Sequence, residues 1–512
     1  MNRYLFAFIF LSLFITHNVP AQNRLTDQKD IREFLYSKYR KVETSSIAIK
    51  QIEMLNTIQK IIGADSLFRL EELGKSFEGR SINLIRIGTG TKKVLLWSQM
   101  HGDEPTATLA IFDILVFLRD NQTTDLLKNL LSKIEILFIP MLNPDGAEKF
   151  SRRNAQGIDI NRDALRLQTP EGRILKKTRD RFNPEFAFNL HDQSPYSSVG
   201  DTDSLAALAL LAPAFDEQKN DNEVRLKAKK MIVYILKSLQ KYLPGKISKY
   251  SDEFEKRAFG DNVQLWGSST ILIESGGYID DPGKEYLRKM NYMALLSSFF
   301  AFADDSYNPA ATSEYDSIAF NKRTFCDLLI SNSEIVFSKG AYIADIAINL
   351  DIDASGVPPF YKGGRISDIG DLTNLKGIKK IEGTGYKTFP GKYVLVNDLS
   401  ELEENTRIIE LCKNGVTTII TGKPVIENRK NPFQIIQISD IAFSMLKSKF
   451  DNKYFSVDDL YSDSNFTFKE KNQLNNTIQL MKPANLFLTN GSDIILVIEG
   501  IVKFANGILI NP

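Results

Sequence analysis

Apolar positions change period along this 512-residue chain. Up to about residue 80 the pattern is helical: Ile52, Leu55, Ile58 and Ile62 recur at the three- and four-residue spacing that lines one helix face. A turn is expected at Gly74-Lys75-Ser76-Phe77-Glu78-Gly79-Arg80. Beyond it, short apolar runs bounded by Gly, Asn or Asp occupy residues 82–87, 94–98, 134–140, 186–190 and 270–273, as strands buried on both faces would. Longer helical patterns lie between them at 106–118, 173–181, 224–243 and 286–303. Strands alternating with helices predict an α/β fold with a mixed, largely buried sheet flanked by helices.

The polar, Pro-containing stretch 304–313 is the expected linker, which leaves residues 22–303 as one domain and 314–512 as another. The later part carries short β-like runs at 334–337, 343–348, 393–396, 417–421, 486–489 and 494–498 and is expected to be a β-rich C-terminal accessory domain. Its partner is not legible in its sequence. A chain of this length exceeds what one core usually serves, so two domains are also the size-based expectation.

Composition narrows the classes. Residues 1–21 have the form of a secretory signal peptide: Asn2-Arg3, an apolar run over 4–15, and small residues in Val19-Pro20-Ala21 before Gln22. That run is shorter than the roughly 20 residues of a membrane span, so a secreted or periplasmic protein, free of the membrane after cleavage, is expected. Lys plus Arg is 64 against 63 for Asp plus Glu, a balance that offers no basic field to nucleic acid. Cys326 and Cys412 are the only cysteines, too few for a disulfide scaffold and readable as one bridge or two buried thiols.

The chain has three histidines, and His17 falls in the expected signal peptide. The other two sit beside carboxylates, in His101-Gly102-Asp103-Glu104 and Asn189-Leu190-His191-Asp192. Three apart in the first turn of a helix, His101 and Glu104 would converge on one ion. A strand-like run precedes each histidine, and strand ends are where α/β sheets hold ligands. Two imidazoles and one carboxylate, with a position left open, form a catalytic zinc arrangement. A Ser-His-Asp hydrolase is excluded by counting, because both histidines are committed.

At this point the residues resemble a family. Ser76-Phe77-Glu78-Gly79-Arg80, His101-Gly102-Asp103-Glu104, Asn143-Pro144-Asp145-Gly146, Arg152-Arg153-Asn154-Ala155-Gln156-Gly157-Ile158-Asp159-Ile160-Asn161-Arg162, His191 and Ile273-Glu274 follow the order found in the zinc carboxypeptidases, over roughly residues 50 to 300. The resemblance implies one Zn2+ per chain on His101, Glu104 and His191, with Glu274 as the catalytic general base. It implies that Asn161 and Arg162 bind the terminal carboxylate of a peptide or peptide-like substrate, and that Arg152 stabilises the oxyanion. Arg153, its neighbour, stays open for that role. Asp159 takes the place of the carboxylate that orients a metal-binding histidine.

Departures from the family pattern bear on specificity. Asp103 stands where digestive carboxypeptidases have an arginine, Asp163-Ala164-Leu165 replaces the usual asparagine and aromatic, and Tyr250 is a loose match for the family's mobile tyrosine. The leading reading is a secreted zinc metallocarboxypeptidase. Two others stand beside it: a zinc amidase acting on murein peptides or N-acyl amino acids, and a catalytically inactive peptide-binding protein. Asp351-Ile352-Asp353-Ala354-Ser355-Gly356 begins like a calcium loop, but Lys362 occupies the position that needs a glutamate.

Overall fold

A computed structural model of the chain describes residues 28–337, 339–356, 359–425, 432–451, 453–461 and 476–510. The expected signal peptide, residues 1–21, lies outside the described residues. The first half is built on an eight-stranded sheet. Its strands in chain order are β1 (Phe68–Lys75), β2 (Ser81–Ile87), β3 (Lys92–Trp97), β4 (Ile134–Ile139) and β5 (Phe186–Asp192). After β6 (Ser197–Val199), which lies outside this sheet, come β7 (Leu208–Leu211), β8 (Ile247–Lys249) and β9 (Ser269–Ser275).

The spatial order is β1-β2-β4-β3-β5-β9-β7-β8. The centre, β4-β3-β5-β9, is parallel, while β1, β2 and the β9-β7 pairing are antiparallel, so the sheet is mixed. From β3 the chain moves to β4 on one side and to β5 on the other. Such a reversal opens a crevice at the carboxyl ends of the strands.

The central strands read as unbroken apolar runs because both faces are covered. Val94 and Leu96 of β3 join one core with the helices Thr106–Asn121, Glu223–Leu239 and Glu285–Asp304. Leu95 and Trp97 join a second with Pro170–Phe182 and Phe259–Leu265. The two-residue alternation thus survives inside a strand with no polar face. In the segment expected as a linker, Tyr307 is buried in the first core together with Tyr315 and Ile318 beyond it.

The sequence reading made residues up to 80 helical, and β1 corrects it. Only Phe68 of β1 is buried, so an edge strand on one side of the sheet shows no apolar run to find. The region from Phe325 onward is β-rich: a nine-stranded sheet includes Phe325–Phe337, Gly340–Asp353 and Phe360–Gly370. It is accompanied by a small parallel sheet of Lys392–Leu395, Val416–Thr421 and Gln434–Gln437. Cys326 and Cys412 are free and buried in separate clusters, so the open question of a bridge is answered by two thiols. Among the described residues, no helix is long and apolar enough to cross a membrane.

Candidate active site

The crevice at the ends of β3, β5 and β9 gathers the predicted residues. His191 and Glu274 are direct cross-strand partners on parallel β5 and β9, so both side chains leave the sheet on the same face. His101 follows β3 by one turn. That turn precedes the helix instead of opening it, a correction to the sequence reading: the helix begins at Thr106, and the backbone N–H of Glu104 donates to His101 O at 3.2 Å. Pro105 disfavours helical geometry at the residue before it, which keeps Glu104 outside.

The turn is held by its own buried groups. Gln99 adopts φ +50°, its side-chain amide donates to Gly102 O at 3.0 Å, and the Thr108 hydroxyl donates to Gln99 Oε1 at 3.0 Å. Gly102 is obligatory: a Cβ there would lie 2.1 Å from the Gly146 carbonyl carbon. That contact is with the short helix Pro144–Glu148, capped by Asn143, whose amide also donates to Met100 O at 3.2 Å. Asp145 in turn accepts from Ser76 Oγ at 2.7 Å, the Glu78 N–H at 2.9 Å and Arg80 at 2.7 Å. The motifs around Ser76 and Asn143 are therefore the scaffold under the metal-site turn.

His101 Nδ1 and His191 Nδ1 lie 3.1 Å apart, each 2.8 Å from one oxygen of Glu104. A zinc ion with bonds of 2.0–2.1 Å to a tetrahedral set needs donor spacings of about 3.3 Å, so three donors are nearly in place. His101 Nε2 lies 3.0 Å from Asp159 Oδ1, and Arg152 Nη1 is 3.1 Å from His101 Nδ1. Because a guanidinium can only donate, Nδ1 is the acceptor nitrogen and Nε2–H donates to Asp159, the tautomer a metal on Nδ1 requires. The residues fit the ion.

Electrostatics agree. Burial opposes ionisation of Glu104, but the two histidines beside it hold its carboxyl well below the usual range. Burial lowers His191, whereas for His101 the hydrogen bond to Asp159 and the nearby Glu104 charge outweigh burial. Glu274 moves the opposite way to Glu104: burial first, then the charges of Glu104 and Asp192, raise it well above the ordinary carboxylate value.

These groups line a cleft of about 1060 Å³ that also contains Arg152, Asn161, Arg162 and Tyr250. Arg153 points away, donating to Gly157 O at 3.0 Å. Asn161 Oδ1 accepts from the Phe259 N–H at 2.9 Å, which leaves the amide NH2 for a ligand, and Arg162 Nη1 donates to Asn161 O at 2.8 Å. Tyr250 was only loosely indicated by sequence; the nearby Glu274 charge and burial push its phenol up to about 12. Sequence reasoning missed the acidic wall beside Arg162. Glu255 pairs with Arg162 Nε at 3.4 Å, and burial pushes Asp261 up to about 7. Neither has a local sequence signal: Glu255 lies in the irregular approach to the helix Phe259–Leu265, and Asp261 is an ordinary acidic residue of that helix's first turn.

Fold and site define a metal-binding α/β protein with a carboxylate and a guanidinium in one cleft. Residues 54–199 match the zinc carboxypeptidase family model, Peptidase_M14, so this stretch of the chain is similar to that family. Carboxypeptidase 2 of Trichophyton rubrum is 30% identical over 146 residues, 26% of this chain and 27% of that protein. Carboxypeptidase 2 of Trichophyton tonsurans is 31% identical over 173 residues, 31% of this chain and 32% of that protein. The chain thus spans about a third or less of the length of these relatives. The solved metallo-carboxypeptidase from Burkholderia cenocepacia superposes with a TM-score of 0.40 at 17% identity, covering 50% of this chain and 69% of that one.

Proposed function

We propose that the protein is a zinc-dependent metallocarboxypeptidase that hydrolyses the C-terminal peptide bond of peptides or peptide-like substrates with a free carboxylate. The observation that carries this reading is the register placing Glu274 beside His191, in a cleft that also holds Arg162. His101, Glu104 and His191 would hold the ion. A bound zinc ion supplies Lewis acidity toward water and the scissile carbonyl.

The protein's own groups do the rest. Glu274, whose raised affinity for protons suits transfer near neutral pH, takes a proton from the attacking water and hands it to the leaving amine. Arg152 donates to the scissile oxygen as charge develops on it. Arg162 and the Asn161 amide hold the terminal carboxylate. Asp159 positions His101 and Arg152 together, through oxygens 3.0 Å and 3.1 Å from them. A division of the chain into a catalytic unit over 22–303 and an accessory unit over 314–512, and export led by residues 1–21, belong to the same proposal.

The test is a matched pair of peptides, one ending in a free acid and one in an amide. Zinc-loaded protein should cleave the acid, fail on the amide and lose activity to a chelator. Arg162→Ala should raise KM for the acid by about ten- to a hundredfold, the loss of one charged hydrogen-bonding partner worth roughly 1.5–3 kcal/mol. Equal rates on acid and amide would remove the carboxylate clamp.

A further inference from the structure

Glu104 and Asp192 line two clefts. One is the site containing Arg162; the other, about 770 Å³, continues past Asp103, Phe150 and Lys284 to Ile352 and Ala354. The last two come from the β-rich half, and Ala354 O is fastened across by the Ala48 N–H at 3.2 Å. If the substrate's carboxyl end is held at Arg162 and its scissile bond lies at the metal ligands, its upstream part leaves by this second cleft. To that extent the inference rests on the proposed activity.

Two carboxylate oxygens at the second cleft are unmatched: Asp103 Oδ1 and Asp192 Oδ1 are buried with no hydrogen-bond partner among the described residues. The Asp192 side chain is only 8% exposed. Its other oxygen accepts from Thr106 Oγ1 at 2.7 Å and lies 3.2 Å from Lys284 Nζ. Lys284 also donates to Ser275 O at 3.0 Å, and Glu104 is committed to the histidines. Lys284, the one lysine lining this cleft, pairs with Asp192, and Asp103 has no ion-pair partner among the described residues. Carboxylate oxygens buried without donors are costly, and a cationic donor from outside would satisfy them.

We propose that this cleft binds a primary ammonium group of the substrate, between Asp103 and Asp192, one or two residues upstream of the scissile bond. Each carboxylate is the chain neighbour of a metal ligand, Asp103 of Glu104 and Asp192 of His191. A peptide residue spans at most about 3.3–3.6 Å, so an ammonium held there is close to the reacting bond. It is the free amino terminus of a short peptide or the side chain of an upstream basic residue. Ile352 and Ala354 form an apolar wall beside it, which brings the β-rich half into substrate recognition.

The experiment compares three peptides with the same C-terminal residue on zinc-loaded protein: a free tripeptide, its N-acetylated form, and an N-acetylated tripeptide with lysine upstream. The free or lysine peptide should exceed the plain acetylated one at least about tenfold in kcat/KM, since the contact is a charge-assisted hydrogen bond. Which of the two exceeds it identifies the source of the ammonium. Asp103→Asn should shrink the gap with zinc content and Tm retained. Equal kcat/KM for all three overturns the proposal, as does a gap untouched by Asp103→Asn. If none is cleaved, the carboxypeptidase reading has failed; calorimetric binding of the same peptides then decides this one, with equal affinities overturning it.

Discussion

The two halves of the chain bury different chemistry. Before residue 324 the buried polar side chains include His101, Glu104, Asp113, Asp145, Glu171, His191, Glu274 and Arg288. From Phe325 on, Asp345 is the one buried charged side chain among the described residues, and the others are hydroxyls and amides such as Ser333, Thr388, Thr417, Asn476 and Asn485. These neutral groups satisfy one another: Asn476 Nδ2 donates to Gly391 O and Thr418 Oγ1, each at 3.0 Å, and Asn485 Nδ2 donates to Asn476 Oδ1 at 2.9 Å. Such a network fixes a core but moves no proton at neutral pH.

Charge burial alone does not mark the site, even within the first half. Arg288 and Asp113 are at most 1% exposed and pair through contacts of 2.6 Å and 2.7 Å, with the Val42 N–H donating to the same carboxylate. Neither residue lines the cleft of the metal ligands or the one beside it. Glu104 and Glu274 are also buried, yet one is driven below and the other above the usual carboxylate range at the wall of a cleft. Opposed shifts beside an opening are what a reacting centre needs and a structural pair does not.

The largest effect that could break this comparison is at Glu274. Glu274→Gln keeps the shape and removes the proposed proton carrier, so kcat should fall by about 10²–10⁴-fold. Zinc per chain, measured by elemental analysis, should stay unchanged. Activity within a few-fold of the parent would show that the raised carboxyl is as structural as Asp113. Asp345 supplies the opposite control, because its oxygens accept from the backbone N–H groups of Asn332 at 2.8 Å and Leu372 at 3.0 Å. Asp345→Ala should cost about 1–3 kcal/mol in denaturant unfolding through the abandoned donors. Its kcat/KM should match the parent, and a loss like that of Glu274→Gln would erase the distinction between the halves.

What the sequence made legible follows from the same physics. The runs at 94–98, 134–140, 186–190 and 270–273 correspond to β3, β4, β5 and β9, since strands buried on both faces need unbroken apolar residues. β1 carries no such run, and the three residues of β8 are too few to show a period. His101 and His191 were legible because the chain has so few histidines, and Glu274 only through its place in the series of motifs that resembles the zinc carboxypeptidases. The pairing of Lys284 with Asp192 and the wall of Ile352 and Ala354 were not, because they join segments far apart in the chain. Local pattern reports which face a residue occupies; it does not report who stands opposite.

The smallest effect concerns the cysteines, which sequence left as a bridge or two thiols. Cys326 packs with Leu329, Ala347 and Leu372, whereas Cys412 lies in the cluster of Ile408, Val416 and Leu496. Burial pushes each thiol up to about 12, so neither is a nucleophile at physiological pH. A thiol reagent at pH 8 should label neither cysteine in the folded protein and both after unfolding. A reductant should leave Tm unchanged within about 1 °C, whereas losing a bridge worth roughly 2–4 kcal/mol would lower it by several degrees. A reductant-sensitive Tm would mean that the β-rich half is stapled; an insensitive one leaves its stability to apolar burial and the neutral hydrogen-bond network around Asn476.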